Sequence, residues 1–333
     1  MGSTNAGSMP LPIHLALQGG GAHGALTWGV LDRLLEDGRF AVAAVSGTSA
    51  GAMNAVALAD GFARGGSEGA REALTGFWEA VGEAARVSPL RKSLRDQLGR
   101  TPGYQLFEGL ARLAPQGLLN PLGLDPLRAI VAERIDFAAV AAGDIRVHVS
   151  ATDARTGRPR VFSGDGLDVD AVVASACLPQ LSPAVEIDGA AYWDGGYSGN
   201  PALLPLLEDP ACRDILLVEL NPDCRELPRT AADTLDRTAE LAFGAPLLAE
   251  LRMLDWAARN GARVPRVHRI AGAESALPAS DRLDADPEHL RTLFAAGRLW
   301  AEDWLAAPAE AALLAAREGL RGHLAGFRRR LAS

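Results

Sequence analysis

Three hundred and thirty-three residues with a hydrophobic share of 48% and a charged share of 22% make a globular composition, which excludes a mainly disordered chain. Gly 36 and Pro 20 lie near average usage and exclude a collagen-like or proline-rich polymer. The formal net charge of −8 lacks the basic footprint of a nucleic-acid-binding protein, so no nucleic-acid partner is expected.

Met1 to Pro10 is small and polar, without a basic start or a long apolar run, and reads as a flexible leader rather than a signal peptide. Leu11 to Gln18 is a short apolar run that predicts a buried strand, ended by Gly19, Gly20 and Gly21. Ala25 to Leu35 places Leu26, Val30, Leu31, Leu34 and Leu35 on one helical face, and Asp37-Gly38 supplies the stop. Ala41 to Val45 reads as a second strand, Gly47 to Gly51 as a tight turn, and Ala52 to Ala63 as a helix. Strand, turn and helix twice over is the pattern of a parallel α/β sheet. The uncharged stretch from Phe40 to Ala59 is long enough to span a bilayer, but Ser46, Thr48, Ser49 and Asn54 make it too polar for one.

Residues 64–127 break the alternation: they are rich in Leu, Gly, Pro and Arg and predict a helical insertion of short amphipathic pieces. Within it Ser88 to Leu127 carries Leu90, Leu94, Leu98, Tyr104, Leu106 and Phe107, and serves either as a lid over an acyl chain or as an ordinary packed insertion. The α/β order then returns. Leu127 to Ile135 and Val169 to Cys177 read as helices, and Ile145 to Ala151, Arg160 to Phe162 and Ile215 to Leu220 as strands. Ala184 to Ile187 and Ala190 to Trp193 form a hairpin around Asp188-Gly189. Residues 230–333 are mostly helical apart from a strand at Arg266 to Ile270. The stretch from Pro287 to Leu331, with Trp300, Trp304 and the closing Arg328-Arg329-Arg330, suits either packing on the domain or lying on an anionic membrane. One α/β domain over residues 11–333 accounts for all of this.

Cys177, Cys212 and Cys224 form no C-x-x-C or Cys/His spacing, so neither a metal nor a cofactor is expected, and a reduced, cytoplasmic setting fits. Three loops carry the chemistry. Gly19-Gly20-Gly21-Ala22-His23-Gly24 follows a strand and opens a helix, where backbone N–H groups hold negative charge. It matches G-x-G-x-x-G, but no Asp or Glu lies between Asp37 and Asp60 to hold a ribose, and no Lys follows as in a P-loop. Gly47-Thr48-Ser49-Ala50-Gly51 is a G-x-S-x-G motif in a strand–turn–helix setting, which lifts a serine hydroxyl to the top of a sheet. A serine there needs a base. His148, His268, His289 and His323 sit in no glycine-framed loop, whereas Asp194, followed by Gly195 and Gly196, ends a strand and can approach another loop closely.

These three elements, in this order, resemble the patatin-like phospholipases, a family that includes bacterial serine acyl hydrolases. The resemblance spans about Pro12 to Leu220. It implies a three-layer α/β/α sandwich with a mainly parallel central sheet. It also implies a Ser–Asp dyad without a catalytic histidine: Ser49 as nucleophile, Asp194 as proton acceptor, and the N–H groups of Gly20 and Gly21 as the oxyanion hole. Gly19, Gly24, Gly47, Gly51, Gly195 and Gly196 complete the motifs. The family usually has Arg or Lys where this chain has His23, which stands as an accessory candidate and leaves head-group preference open. The expected substrate is a lipid or other acyl ester, with peripheral membrane contact and a homodimer both compatible. The alternatives are a short-chain or polyester esterase with the same dyad, and a non-catalytic scaffold on the same fold.

Overall fold

A computed structural model describes residues 9–87, 125–179, 182–209, 213–221, 227–271 and 279–306. The leader up to Ser8, most of the expected lid (88–124), Cys212 and Cys224, and the arginines near the C-terminus lie outside the described residues. No described helix is long and apolar enough to cross a membrane.

The elements in chain order are β1 (Leu11–Leu17), α1 (Gly24–Asp37), β2 (Phe40–Thr48), α2 (Ala50–Val87), α3 (Pro126–Arg134), α4 (Phe137–Ala142), β3 (Arg146–Asp153), β4 (Pro159–Phe162), α5 (Val169–Ser175), β5 (Val185–Ile187), β6 (Ala190–Asp194), α6 (Leu204–Leu207), β7 (Asp214–Val218), α7 (Ala231–Arg259), β8 (Arg266–Ile270) and α8 (Pro287–Leu305). The described strands form one sheet in the order β5-β6-β3-β2-β1-β7-β8, with β4 on the edge of β3. The pairs β1–β2, β1–β7, β2–β3 and β7–β8 are parallel, and the pairs β3–β4, β3–β6 and β5–β6 are antiparallel.

Alternation along the central strands buries both faces. Leu15, Leu17, Leu216 and Val218 enter one core with α1, α2 and α8. Ala16, Ile215 and Leu217 enter a second with Leu203, Leu206 and the inner residues of α7. The result is the expected three-layer α/β/α sandwich.

Most elements lie within a few residues of their sequence expectation, and local signals explain why. Gly38 ends α1 in the left-handed conformation (φ 72°), its N–H bonded to the Leu34 carbonyl. Asp188 (φ 52°) and Gly189 (φ 77°) make the β5–β6 hairpin turn. Thr230 and Asp233 form a capping box at the start of α7.

The helix expected over Ala52 to Ala63 is the first arm of α2: the backbone leaves helical geometry at Gly65 and Gly66 (φ 60°), and a second arm runs on to Val87. The two arms fold against each other, since a Cβ on Gly61 would lie 2.3 Å from the Gly69 carbonyl oxygen, and Ala70, Leu74, Phe77 and Trp78 of the second arm are buried in the core. The apolar face of α8 is already taken. Leu290, Leu293, Ala301 and Leu305 are buried, Phe294 stacks on Trp28 of α1 at 4.1 Å, and Trp304 meets Phe40 at 5.3 Å. The described part of that stretch is a packing helix.

Candidate active site

β1 lies between β2 and β7, with α1 on one face of the sheet and α7 on the other. The chain reverses its direction of travel across the sheet there, the kind of switch point beside whose carboxyl strand ends α/β sheets bind their ligands. The glycine loop after β1 and the turn after β2 meet at that edge. Gln18 ties in the chain after β7, its Oε1 accepting from the Leu220 N–H (2.7 Å) and the Asn221 N–H (3.0 Å).

Ser49 is the single residue between β2 and α2, and it holds φ 55°, the left-handed region that side chains disfavour. The turn is held by close approach. A Cβ on Gly51 would stand 2.1 Å from the Leu17 carbonyl oxygen, so only glycine lets the start of α2 lie against the end of β1. Gly47 meets the Gly51 carbonyl in the same way, Gly19 meets the Ser49 Cβ, and Gly24 meets Ala50 and Trp78.

Asp194 reaches Ser49 by topology. β2 covers one edge of β3 up to Ser150, and β4 covers the other edge. β6 pairs with β3 from Ala151 onward, on the edge that β2 has just left. Asp194, opposite Ala151, therefore stands beside the end of β2. Gly195 makes this approach feasible, since a Cβ there would lie 2.0 Å from the Ser150 carbonyl oxygen. Asp194 is 1% exposed. Its Oδ1 accepts the Gly196 N–H at 2.7 Å, and the Ser49 side chain is its other hydrogen-bonding partner. Burial pushes its carboxyl up to about 7, and these two bonds only partly oppose that.

In the glycine loop the Gly20 and Gly21 N–H groups are taken up by no hydrogen bond among the described residues. Gly20 is half-buried and Gly21 exposed. His23 is 1% exposed and so is buried in the turn that follows the loop.

Of the histidines weighed as bases, His323 lies outside the described residues, and the others stand elsewhere. His268 on β8 contacts Asp214 at 2.8 Å, at the opposite, amino end of β7. His148 lies on β3, and burial holds its ring below the usual imidazole range. No described histidine bonds Ser49 or Asp194. Cys177 is no rival nucleophile: burial, reinforced by the Asp194 charge, pushes its thiol up to about 11.

Three supporting residues escaped the sequence reading because their neighbours are distant in the chain. Ser175, at the end of α5, accepts the Ser49 N–H at 2.9 Å and donates to the Ser150 carbonyl at 2.6 Å. It thus links the turn after β2 to the strand that carries β6. Asn200 accepts the Gly19 N–H at 2.7 Å through Oδ1. Arg282 lays its carbonyl against Gly21 and reaches Asn221 with its guanidinium at 2.7 Å. Ser175→Ala is expected to lower the unfolding free energy by about 1–3 kcal/mol, the cost of leaving the Ser49 N–H without its acceptor. Urea denaturation reads that loss.

No curated protein matches this sequence. Among solved structures, VipD from Legionella pneumophila aligns at 15% identity with a TM-score of 0.34, covering 95% of this chain and 75% of that one. ExoU of the type III secretion system of Pseudomonas aeruginosa aligns at 17% identity and TM-score 0.30 over 98% of this chain and 63% of its own. In complex with SpcU it aligns at 14% and 0.32, over 97% of this chain and 61% of its own. The family model for patatin-like phospholipases matches residues 15–207, more than half of the chain, and together with the fold this makes the protein a member of that family.

Proposed function

We propose that this protein hydrolyses the carboxylic esters of lipids through Ser49 and Asp194. One observation carries the reading. A serine held at φ 55° on a strand-to-helix turn has as its side-chain partner a fully buried carboxylate whose proton affinity is raised to the neutral range. A base poised near the working pH transfers protons most effectively.

Asp194 takes the proton of Ser49 as the Ser49 Oγ bonds to the ester carbonyl carbon. The charge that develops on the carbonyl oxygen is met by the Gly20 and Gly21 N–H groups, each such donor contributing about 3 kcal/mol. As the intermediate collapses, the alcohol leaves with the proton held by Asp194 and the acyl group stays on Ser49. Water then gives a proton to Asp194 and attacks the acyl carbon. The acid departs, and the proton returns from Asp194 to Ser49. Ser175 and Asn200 position the turn and the glycine loop rather than touching the substrate.

Membership of the family supports a lipid substrate, and contact with a membrane surface follows from the insolubility of such substrates. Intact-mass labelling with a fluorophosphonate, on wild type beside Ser49→Ala, tests the nucleophile without presuming a substrate. One adduct on the wild type and none on the variant is the expected result. An adduct on both would remove Ser49 from the mechanism, and none on a folded wild type would favour the scaffold reading.

A further inference from the structure

The inner side of α7 belongs to the core. Leu247, Leu251 and Leu254 are buried, and Phe243 lies against Gly196 and stacks on Tyr197 at 4.7 Å, next to Asp194. Its outer side is unusual. Leu241 (56% exposed), Leu248 (36%), Met253 (67%) and Trp256 (66%) are spread over its outer half. They are four of the nine large apolar residues exposed among the described residues.

Arginines outnumber acids along this stretch. Arg252, Arg259 and, just past the helix, Arg263 are exposed. Arg259 pairs with Asp255 at 2.7 Å, and Glu250 is turned inward to accept the Leu203 N–H at 2.6 Å, so the outward excess is carried by Arg252 and Arg263. On a chain of net charge −8 this face is locally basic.

We propose that the outer face of α7 is the surface by which this protein seats on an anionic lipid bilayer. The chemistry matches on both counts. Leucine, methionine and tryptophan side chains enter the boundary between head groups and acyl chains, and arginines meet lipid phosphate. Phe243, which touches the turn that carries Asp194, lies at the Leu241 end of this face, and Leu248 to Trp256 run from there toward the amino ends of β7 and β8. The inference deepens the lipid-hydrolase reading and rests on it.

The test uses the full chain and co-sedimentation with vesicles of phosphatidylcholine alone or mixed with phosphatidylglycerol. Wild type is expected to bind the mixed vesicles more tightly. Leu248→Asp with Trp256→Asp is expected to weaken that binding about tenfold or more, because charged groups resist entry into the bilayer boundary. Arg252→Glu with Arg263→Glu is expected to abolish the preference for the anionic vesicles. Hydrolysis of a water-soluble short-chain ester is expected to be unchanged in both variants. Unchanged vesicle binding by the aspartate variant would overturn the proposal, as would failure of wild type to bind the mixed vesicles. So would a wild-type dimer that the aspartate variant splits, since the face would then be covered by a second copy. Ser49→Ala separates this inference from the catalytic reading: it is expected to bind vesicles normally. Soluble-ester hydrolysis without vesicle binding sinks the docking face alone, and vesicle binding without Ser49-dependent hydrolysis sinks the catalytic reading alone.

Discussion

Asp194→Asn is expected to lower kcat for ester hydrolysis by about 10³–10⁴-fold while making the protein more stable above neutral pH. The first effect is the loss of the base, since an amide cannot take the Ser49 proton. The second follows from linkage. The Asp194 carboxyl is held near 7 in the folded chain by burial, against an ordinary value of 3.8. Between those two values the folded state binds a proton that the unfolded chain has released, so stability falls as pH rises through that window. Ionising a buried carboxylate over such an interval costs about 4 kcal/mol at most. Asparagine carries no such cost and still accepts the Gly196 N–H. The stability gain is therefore expected to be largest above pH 7 and to vanish toward pH 4, where both chains are neutral at this position. Urea denaturation at pH 8 and at pH 4 checks this, and a variant no more stable than wild type at pH 8 would mean that the carboxylate is solvated rather than buried. The same titration predicts that kcat/KM of the wild type rises about tenfold per pH unit below 7 and levels off above it. A profile that is flat from pH 5 to 8 would remove Asp194 as the base.

Replacing Ser49 is expected to divide activity from stability in the same way. Ser49→Ala and Ser49→Gly both lose the nucleophile, and each is expected to lower kcat by about 10⁴-fold or more. They differ in the backbone. Ser49 holds φ 55°, where a side chain costs energy and glycine does not. Ser49→Gly is therefore expected to be more stable than Ser49→Ala by about 1 kcal/mol, in spite of the added freedom of its unfolded chain. Thermal unfolding of the pair measures this directly. Equal midpoints would mean that the turn relaxes when the serine is absent, so that the strain belongs to the hydroxyl and its contacts. In both variants a site residue is being held at a cost to the fold, as expected where function needs a buried base and a strained turn.

What could be read from the residues alone was local. The run Leu11–Leu17 and the glycines after it, the face of α1 and its stop at Gly38, and the hairpin turn at Asp188-Gly189 each depend on neighbours a few positions away. The three glycine-framed loops were legible for the same reason, because a glycine where a side chain would collide is a property of one turn. The glycine-framed strand end made Asp194 a candidate base for Ser49, but only the resemblance assigned the two as a pair, since nothing in the local pattern joins residues 49 and 194. Their meeting is decided by the sheet: β6 takes the edge of β3 that β2 leaves at Ser150, and Gly195 then slips past the Ser150 carbonyl. The proton affinity of Asp194 likewise comes from burial, which no stretch of sequence displays. Tertiary packing also folded the second arm of α2 back on the first at Gly65-Gly66, where it buries Leu74, Phe77 and Trp78. It gave α8 a partner in α1, and left α7 with an outward apolar face that has none among the described residues. Local chemistry thus determined which loops could react, and long-range pairing of strands determined which of them stand together.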